Sequence, residues 1–504
     1  MKTTAPKKLP ERMTLATIDI GAHLARLLIA ELNTRTREYN TLETLEKPVP
    51  LGSDVFRSGS IRDESIGILS EILSNFRLKM AEYGVRHYRA IAGSAVREAA
   101  NADIFIERMA HNSGLDIRIC SGGEEAQLND TAVRELLPAD CGFAAGNTLI
   151  ADIGTGACQI SAYRQGELRF TETLKIGTLR AVVGGRDGMA HSIDRSFREL
   201  NPLAEQLAAQ LLIALGASVR TLLRLLPNKP RGHVTELRRD DIRQLGEKLS
   251  VLSDAELCER CALSPDEAET VHPCCLMLNN LLRMTGAERL LVPHSSTQAA
   301  LMRRFIDELL GRPDRFTAQL RSLTAHTAER YRCHNETAAL TAAWAETLFR
   351  RLSKLHGLPE SALTPLLLAA RLHQCGLYVN NRDYHRHSYY LLLNTGLAGI
   401  PAEAQQLAAL AVLFHRKDTP GPLHPEYAAL SAPRRRELNK IVALLRLSCA
   451  LAALGAEPQR LRLRRQEGRL ILHCGEARAA QPNGIAPQEL DYFRSIFATQ
   501  LILA

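Results

Sequence analysis

Long hydrophobic runs, aromatic residues and low-complexity linkers are scarce in this sequence. Aromatic side chains make up 5% of the 504 residues, and there is one tryptophan. The longest apolar stretch, from Leu203 to Leu226, is interrupted by charged and amide side chains, so we expect an amphipathic helix there rather than a membrane span. The basic start from Met1 to Lys8 is followed by neither the apolar core nor the cleavage pattern of a signal peptide. These absences predict a cytoplasmic protein that has no membrane partner.

A disulfide framework is also missing. The eleven cysteines are an odd number, and their spacing does not suggest the framework of a secreted protein. Cys258 and Cys261, followed by Cys274 and Cys275, invite comparison with a zinc site. The adjacent second pair and its helix-like surroundings suit a four-cysteine zinc knuckle poorly. We therefore expect mostly reduced, buried cysteines and no zinc site.

The rest of the composition is typical of a globular protein with several domains. The hydrophobic fraction is 45% and the mean hydropathy is -0.12, and a chain of 504 residues exceeds the size at which one core keeps growing. The net charge of +8 favours polyanionic partners such as phosphate chains or nucleotides. No nucleic-acid recognition motif accompanies this charge, so we expect no specific nucleic-acid partner.

Alternating strand and helix patterns predict an α/β architecture for the first part of the chain. We expect strands at residues 15–19, 27–33 and 88–92 and a helix at 64–83. A second cycle of the same type begins at residue 148, which suggests duplication. After residue 194 we expect helices to dominate, with a short hairpin and a last helix at the end. The predicted domains are two α/β domains, a helical domain and a small α+β segment, at residues 14–140, 141–315, 316–455 and 456–504.

Two apolar runs end in the pattern Asp-x-Gly. The first contains Asp19 and Gly21, and the second contains Asp152, Gly154 and Gly156. A carboxylate followed by glycine at a strand end leaves room for a phosphate to approach the backbone. Either motif alone is compatible with an ordinary junction between a strand and a turn. The pair together predicts a phosphate site between two halves of a duplicated core.

Three further positions carry charge next to predicted strand ends. Arg97 follows a strand where a helix begins, and a guanidinium there can bind phosphate oxygens in bidentate fashion. Glu124 and Glu125 follow a glycine turn and are suited to orienting or deprotonating a water molecule. Arg26, shortly after the first Asp-x-Gly, adds a second cation. The structural alternative for each is a helix start with a capping acid, or a surface ion pair.

In this order, the motifs resemble those of the exopolyphosphatase/guanosine pentaphosphate phosphatase (Ppx/GppA) family, within the actin-like ATPase superfamily. The resemblance implies duplicated actin-like, ribonuclease H-like α/β domains followed by an all-α, HD-like domain. It runs nearly end to end, through the two Asp-x-Gly loops with Arg26 and through segments 94–99, 121–126, 176–180, 372–377, 385–391 and 414–417.

The resemblance implies a hydrolase that releases orthophosphate from inorganic polyphosphate or from guanosine pentaphosphate. Glu125 would act as general base on water, and Arg97 and Arg26 would neutralise developing charge. Asp152 and Glu125 would hold Mg²⁺. The phosphate oxygens would be bound by residues of the two glycine loops and their neighbours, namely Asp19, Gly21, Arg26, Gly154, Thr155, Gly156 and Gly177.

Several positions depart from the pattern of the family. The loop after Asp19 has Ala22-His23-Leu24 where three small polar residues are usual, and Gln159 replaces a glutamate of the metal site. A later phosphate-binding loop of the family is altered here, at Leu215 to Val219. The family also has Arg-Glu-Gly near the end of the core, where this sequence has Thr297-Gln298-Ala299. These losses leave open a catalytically weakened protein that binds polyphosphate or the alarmone and acts in regulation. A kinase-like ATP user is disfavoured, because an adenosine-side glycine-threonine loop is missing.

The helical domain resembles an HD-type phosphohydrolase domain with an incomplete metal set. His334, His373, His385 and His415 match its histidine positions, but Gln374 stands where the family has aspartate, and no aspartate occurs near Ser448. The alternative is that these are ordinary core or surface histidines. We expect a structural or polyphosphate-binding domain, which could also form a homodimer. Its predicted polyphosphate contacts are His385, His387, His415 and Lys417.

Overall fold

A computed structural model describes thirteen stretches of the chain, which form two compact units divided between residues 319 and 320. In the part of the chain that is described, no helix is long and apolar enough to cross a membrane. The described residues are 10–138, 141–182, 186–198, 208–226, 232–294, 297–310, 316–333, 335–395, 397, 400–416, 418–466, 469–473 and 485–503.

The first unit begins with a five-stranded mixed sheet in the order β3-β2-β1-β4-β5. The first three strands form an antiparallel meander, and β4 and β5 add to it in parallel. The predicted strands are confirmed, but β3 is an additional edge strand whose side chains are largely exposed. The strands are β1 (Arg12–Ile20), β2 (Leu24–Asn33), β3 (Tyr39–Pro48), β4 (His87–Ala92) and β5 (Ile117–Ile119).

A six-stranded sheet repeats this plan in the order β10-β11-β9-β6-β7-β8. Its first three strands are again an antiparallel meander, and β9 and β11 continue it in parallel. The repeated topology is consistent with the predicted duplication. The strands are β6 (Asn147–Ile153), β7 (Cys158–Arg164), β8 (Glu167–Leu174), β9 (Leu211–Leu215), β10 (Val234–Arg238) and β11 (Arg289–Pro293).

The amphipathic helix predicted from Leu203 to Leu226 is wrong. Within this stretch, Leu211–Leu215 is the fully buried strand β9, which lies between β6 and β11. A short helix follows at Ala217–Arg224, and residues 201–207 lie outside the described part. A strand that is covered on both faces of a sheet is a continuous apolar run, so its periodicity cannot be distinguished from that of a buried helix.

Helices cover the sheets of the first unit, and each sheet has its own apolar cluster. The last of these helices, α12, packs Met302, Phe305 and Ile306 against Leu15 and Leu28 of the first sheet. The helices are α1 (Leu51–Ser58), α2 (Asp63–Glu82), α3 (Ser94–Glu98), α4 (Ala102–Ser113), α5 (Gly122–Leu136), α6 (Thr178–Val182), α7 (Arg186–Arg198), α8 (Ala217–Arg224), α9 (Arg239–Ser250), α10 (Asp254–Cys261), α11 (Pro265–Thr285) and α12 (Thr297–Leu309).

The second unit is mainly helical, as predicted. Trp344 is fully buried in it, and its indole N–H donates to the Ala456 carbonyl. The helices are α13 (Phe316–Arg330), which begins just before the division, α14 (Asn335–Arg351), α15 (Ser353–His356), α16 (Leu363–Leu372), α17 (Tyr384–Asn394), α18 (Ala402–Leu413), α19 (Pro425–Ala428), α20 (Ala432–Ala453) and α21 (Pro487–Phe497).

The end of the chain forms a small three-stranded sheet. Strands β12 (Arg462–Gln466) and β13 (Arg469–His473) are the predicted hairpin, and α21 is the predicted last helix. A final strand, β14 (Gln500–Leu503), was not expected from the sequence and pairs in parallel with β13.

Candidate functional site

The first Asp-x-Gly loop lies at the end of β1, where an arginine from β2 faces its carboxylate. Asp19 and Arg26 are cross-strand partners, and Arg26 Nη1 lies 3.3 Å from Asp19 Oδ2. Arg26 Nε also donates to Glu46 Oε1 on β3 at 3.1 Å. Burial raises the pKa of Asp19, and the Arg26 charge opposes that rise.

Arg97 and Glu125 meet beside the neighbouring strand end. Arg97, on α3, donates through Nη1 to the Cys120 carbonyl at 2.5 Å and through Nη2 to Glu125 Oε2 at 3.1 Å. Gly93 makes room for this pair, because a Cβ at that position would lie 3.3 Å from Glu125 Oε1. The same glycine donates its N–H to the Ile20 carbonyl, so the pair lies next to the end of β1.

The two adjacent glutamates have different environments. Glu124 completes a capping box with Ser121, accepts from the Ser121 N–H at 2.9 Å and pairs with Arg118. Glu125 faces the site instead. Burial raises the pKa of Glu125, Arg97 opposes this, and the carboxylates of Asp152 and Asp19 raise it further. Glu124 is therefore the capping acid of the structural alternative, whereas Glu125 forms an ion pair with Arg97 beside the site.

Asp152, at the end of β6, is held by a residue that the sequence analysis did not single out. Asn129 Nδ2 on α5 donates to Asp152 Oδ2 at 3.0 Å. Burial raises the pKa of Asp152, while the Asn129 hydrogen bond and the charge of Arg220 lower it. Asp19 and Arg26 also contribute to this shift, so Asp152 lies within electrostatic range of the first loop.

The second glycine loop packs backbone against backbone. The Gly154 carbonyl accepts from the Thr178 N–H at 3.0 Å, and the Thr155 carbonyl accepts from the Leu179 N–H at 3.0 Å. A Cβ on Gly177 would lie 2.4 Å from the Thr155 carbonyl group. Glycine at position 177 is therefore required by the close approach of these two segments.

Gln159, which departs from the family pattern, is built into the sheet. It pairs with Asp152 across β6 and β7 and is 5% exposed. Its Nε2 donates to Thr171 Oγ1 at 2.7 Å, and its Oε1 accepts from Thr173 Oγ1 at 2.8 Å. The amide is thus satisfied by β8 threonines and adds no charge next to Asp152.

Side chains from both halves of the first unit meet around the site. Arg180 Nη2 pairs with Glu98 Oε2 at 2.7 Å, and its Nε donates to the Gly156 carbonyl at 2.7 Å. The same guanidinium lies 4.2 Å from the centre of the Phe56 ring. On another side, His23 Nε2 lies 3.0 Å from Asp266 Oδ2 at the first turn of α11.

The carboxylates of this site suit a magnesium ion that shares its ligands with substrate. Mg²⁺ is usually held by one or two carboxylates together with water and phosphate oxygens. Glu125 and Asp152 supply two carboxylates within electrostatic range of each other. Across the described residues, no group of three or more His, Cys, Asp or Glu side chains could hold a metal. Two carboxylates of this kind fit a Mg²⁺ that also takes ligands from water and substrate.

In the helical unit, the predicted histidine contacts are mostly internal. His415 is buried, its Nδ1 donates to the Val412 carbonyl, and its Nε2 accepts from the Tyr384 hydroxyl. Burial lowers the pKa of His415 well below its usual value and that of His373 to about 4. His385 is also buried, whereas His387 is half-buried. His334 and Lys417 lie outside the described residues.

Comparison with known proteins identifies the family. The Ppx/GppA phosphatase family profile matches residues 32–291, which is more than half of the chain, and the profile of its domain III matches residues 320–465. The chain belongs to the Ppx/GppA phosphatase family. Exopolyphosphatase 1 of Mycobacterium tuberculosis is 24% identical over 334 residues, which cover 63% of this chain and 94% of that protein.

Solved structures of Ppx/GppA proteins share the fold of this chain. An exopolyphosphatase from Cytophaga hutchinsonii has a TM-score of 0.53 at 21% identity, covering 59% of this chain and 98% of its own. An Aquifex aeolicus Ppx/GppA family member has a TM-score of 0.50 at 20% identity, covering 60% and 98%. These similarities confirm the predicted α/β, actin-like fold, and the domain III profile covers the helical region after it.

Membership of the Ppx/GppA family confirms that the chain is a phosphohydrolase acting on phosphoanhydride bonds. The alternative of a binding protein without catalysis is not favoured by these comparisons. The magnesium ion, the HD-like character of the helical unit, the homodimer and the roles of individual residues stay predictions.

Sequence reasoning missed three contributors to the site. Asn129 lies in the middle of α5 without any motif of its own, and Arg220 follows a glycine loop whose sequence departs from the family pattern. Arg180 was part of a recognised segment but received no role. A polar side chain one turn after a strand-end glycine is the signal that could have drawn attention to Arg220.

Proposed function

We propose that this Ppx/GppA phosphohydrolase releases orthophosphate from the end of inorganic polyphosphate. The observation that carries the proposal is the placement of Glu125 beside Arg97 and within electrostatic range of Asp19 and Asp152. A related protein carries the name exopolyphosphatase, and the net charge of +8 suits a polyanion. Guanosine pentaphosphate, whose end is also a phosphoanhydride, is the second substrate to test.

The proposed reaction is attack of water on the terminal phosphorus. The water oxygen forms a new P–O bond, its proton moves to Glu125 Oε1 or Oε2, and the bond to the bridging oxygen breaks. That oxygen leaves on the shortened chain. Arg97 holds the Glu125 carboxylate in place while it accepts the proton. Arg26 and the glycine-loop N–H groups around Gly154 and Gly156 are assigned to the phosphate oxygens.

Asp152 and Glu125 would hold Mg²⁺ together with phosphate oxygens. When bound, the ion would neutralise charge on the phosphate being transferred. Asn129 donates to Asp152 Oδ2 and would therefore orient the carboxylate that holds the ion.

The test is phosphate release from long-chain polyphosphate, guanosine pentaphosphate and ATP, each with and without Mg²⁺. Glu125→Gln should lower turnover by about 10³-fold because the proton acceptor is lost. Glu64→Gln, on the exposed face of α2, is the matched control and should retain the wild-type rate. Full activity of Glu125→Gln would show that another group is the base. Binding of polyphosphate without any release by the wild type would favour the regulatory alternative.

Two finer parts of the proposal concern the helical unit. We assign a polyphosphate contact to His387 and Lys417, and a homodimer to the apolar helices of this unit. His387→Ala with Lys417→Ala should weaken binding of long chains more than binding of tripolyphosphate, because a long chain has more phosphate groups available for additional contacts. Equal effects on both lengths would contradict the assignment, and sedimentation analysis tests the homodimer.

A further inference from the structure

Arg220 lies in the first turn of α8, directly beyond the end of β9. Gly216 connects the strand to the helix with a φ of +128°, and a Cβ there would lie 2.3 Å from the Ile153 carbonyl oxygen. Only glycine permits this approach. It brings the start of α8 against the end of β6, where Leu215 is the register partner of Asp152.

The charges around Arg220 come from both sheets of the first unit. Asp152 on β6 and Glu46 on β3 attract its guanidinium, while Arg26 on β2 repels it. Burial and the Arg26 charge lower the pKa of Arg220, although it stays far above neutral pH as for any arginine. The guanidinium groups of Arg220 on α8 and Arg26 on β2 thus lie within electrostatic range of each other beside the two Asp-x-Gly loops.

Such a pair of cations suits an anion with several oxygens. Like charges repel in a partly buried site. A phosphate dianion bound between the two guanidinium groups would offset this repulsion and accept charge-assisted hydrogen bonds from both. Gln159, the register partner of Asp152, adds no positive charge there, because it is a neutral amide satisfied by threonines.

We propose that Arg220 and Arg26, which come from different halves of the first unit, both bind the terminal phosphate of the substrate. Arg220 is then a catalytic residue that contacts substrate. Its positive charge compensates for the weaker metal binding that we expect from the neutral Gln159. This inference rests on the proposed function and adds a residue to its site. Its consequence is that the protein binds a terminal phosphate in the absence of Mg²⁺.

The experiment measures tripolyphosphate binding to the full chain by calorimetry in the presence of EDTA. Arg220→Ala should weaken binding by about 10- to 100-fold, the effect of losing a charge-assisted hydrogen bond. Arg220→Lys keeps the charge but not the bidentate geometry, so its loss should be smaller. Arg224→Ala is the matched control, since Arg224 lies one turn later on the same helix and pairs with Glu267 at 2.8 Å. It should bind like the wild type.

Steady-state kinetics provides a second readout. With Mg²⁺ present, Arg220→Ala should lower kcat/KM for polyphosphate by at least the loss in binding, and added guanidinium ion should restore part of it. Melting temperatures of the three variants show that each is folded. If Arg220→Ala binds tripolyphosphate like the wild type in EDTA and keeps its kcat/KM, the inference is wrong while the proposed function stands. If the wild type neither binds nor hydrolyses polyphosphate, the proposed function itself fails.

Discussion

Arg97 Nη2 lies 3.1 Å from Glu125 Oε2, while Nη1 of the same guanidinium donates to the Cys120 carbonyl at 2.5 Å. Burial raises the pKa of Glu125, and the guanidinium is the largest influence that opposes this rise. Arg97 therefore keeps more of the Glu125 carboxyl groups in the deprotonated form that can accept a proton from water.

Replacing Arg97 by glutamine should shift the acidic limb of the pH–rate profile to higher pH. The reason is that the pKa of Glu125 rises further once the opposing charge is gone, so a higher pH is needed to deprotonate the base. We also expect kcat/KM at the optimum to fall by about 10²-fold, as for loss of one electrostatic contact in an active site. The profile of kcat/KM against pH checks this, with Arg108→Gln on the surface of α4 as control. If the acidic limb of Arg97→Gln is not shifted, Arg97 does not control the protonation of the catalytic base.

Replacing Gln159 by glutamate should make stability depend on magnesium. The new carboxylate can still accept from Thr173 Oγ1, but it cannot donate to Thr171 Oγ1 as the Gln159 amide does, and it lies opposite Asp152 in a buried part of the sheet. Two buried carboxylates repel, so without Mg²⁺ we expect a loss of about 1–3 kcal/mol in the free energy of unfolding. Added Mg²⁺ should raise the melting temperature of Gln159→Glu more than that of the wild type, and raise its rate. Gln244→Glu on exposed α9 should show no such gain, and an equal response of both variants would argue against a metal at Asp152.

The ion pair of Arg180 with Glu98 should stabilise the first unit measurably. Both side chains are about one-fifth exposed, and they join helices that belong to different halves of the unit. We expect a coupling energy on the order of 1 kcal/mol in a double-mutant cycle of Arg180→Ala and Glu98→Ala. Hydrogen exchange of the most protected strand amides measures the free energies. The exposed pair Arg243 and Glu247 on α9 serves as a control with a smaller coupling. Equal coupling energies for the two pairs would mean that the Arg180–Glu98 contact stabilises the unit no more than an exposed ion pair does.

Replacing Asp152 by asparagine should stabilise the protein at neutral pH while abolishing turnover. A carboxyl whose pKa is raised on folding contributes stability below its unfolded pKa and loses that contribution as pH rises through its folded pKa. Asparagine carries no charge and can still accept from Asn129, so a gain of about 1 kcal/mol is expected near neutral pH. The gain should shrink as pH falls towards the ordinary aspartate range. Melting curves at several pH values check this, with the exposed Asp116→Asn as control. A gain that does not change with pH would contradict the assigned cause.

Much of the fold could be predicted from the sequence because its signals are local. The strands around Asp19 and Asp152, the helix at Asp63–Glu82 and the helical second unit all follow periodicity within a few residues. The prediction failed at β9, where five apolar residues between two other strands have no periodicity to distinguish them from a helix. It also missed β3 and β14, because an edge strand depends on its partner more than on its own residues.

The sequence by itself determined which residue types are available: two acidic strand ends, the arginines beside them, a glutamate pair and an uncharged residue at position 159. Only the tertiary structure decided how they are used. It turned Glu124 into a helix cap and Glu125 towards Arg97, brought Asn129 to Asp152, and placed Arg220 within electrostatic range of Arg26. These contacts join residues far apart in the chain, and their geometry follows from strand order, register and glycine turns in both halves of the duplicated core.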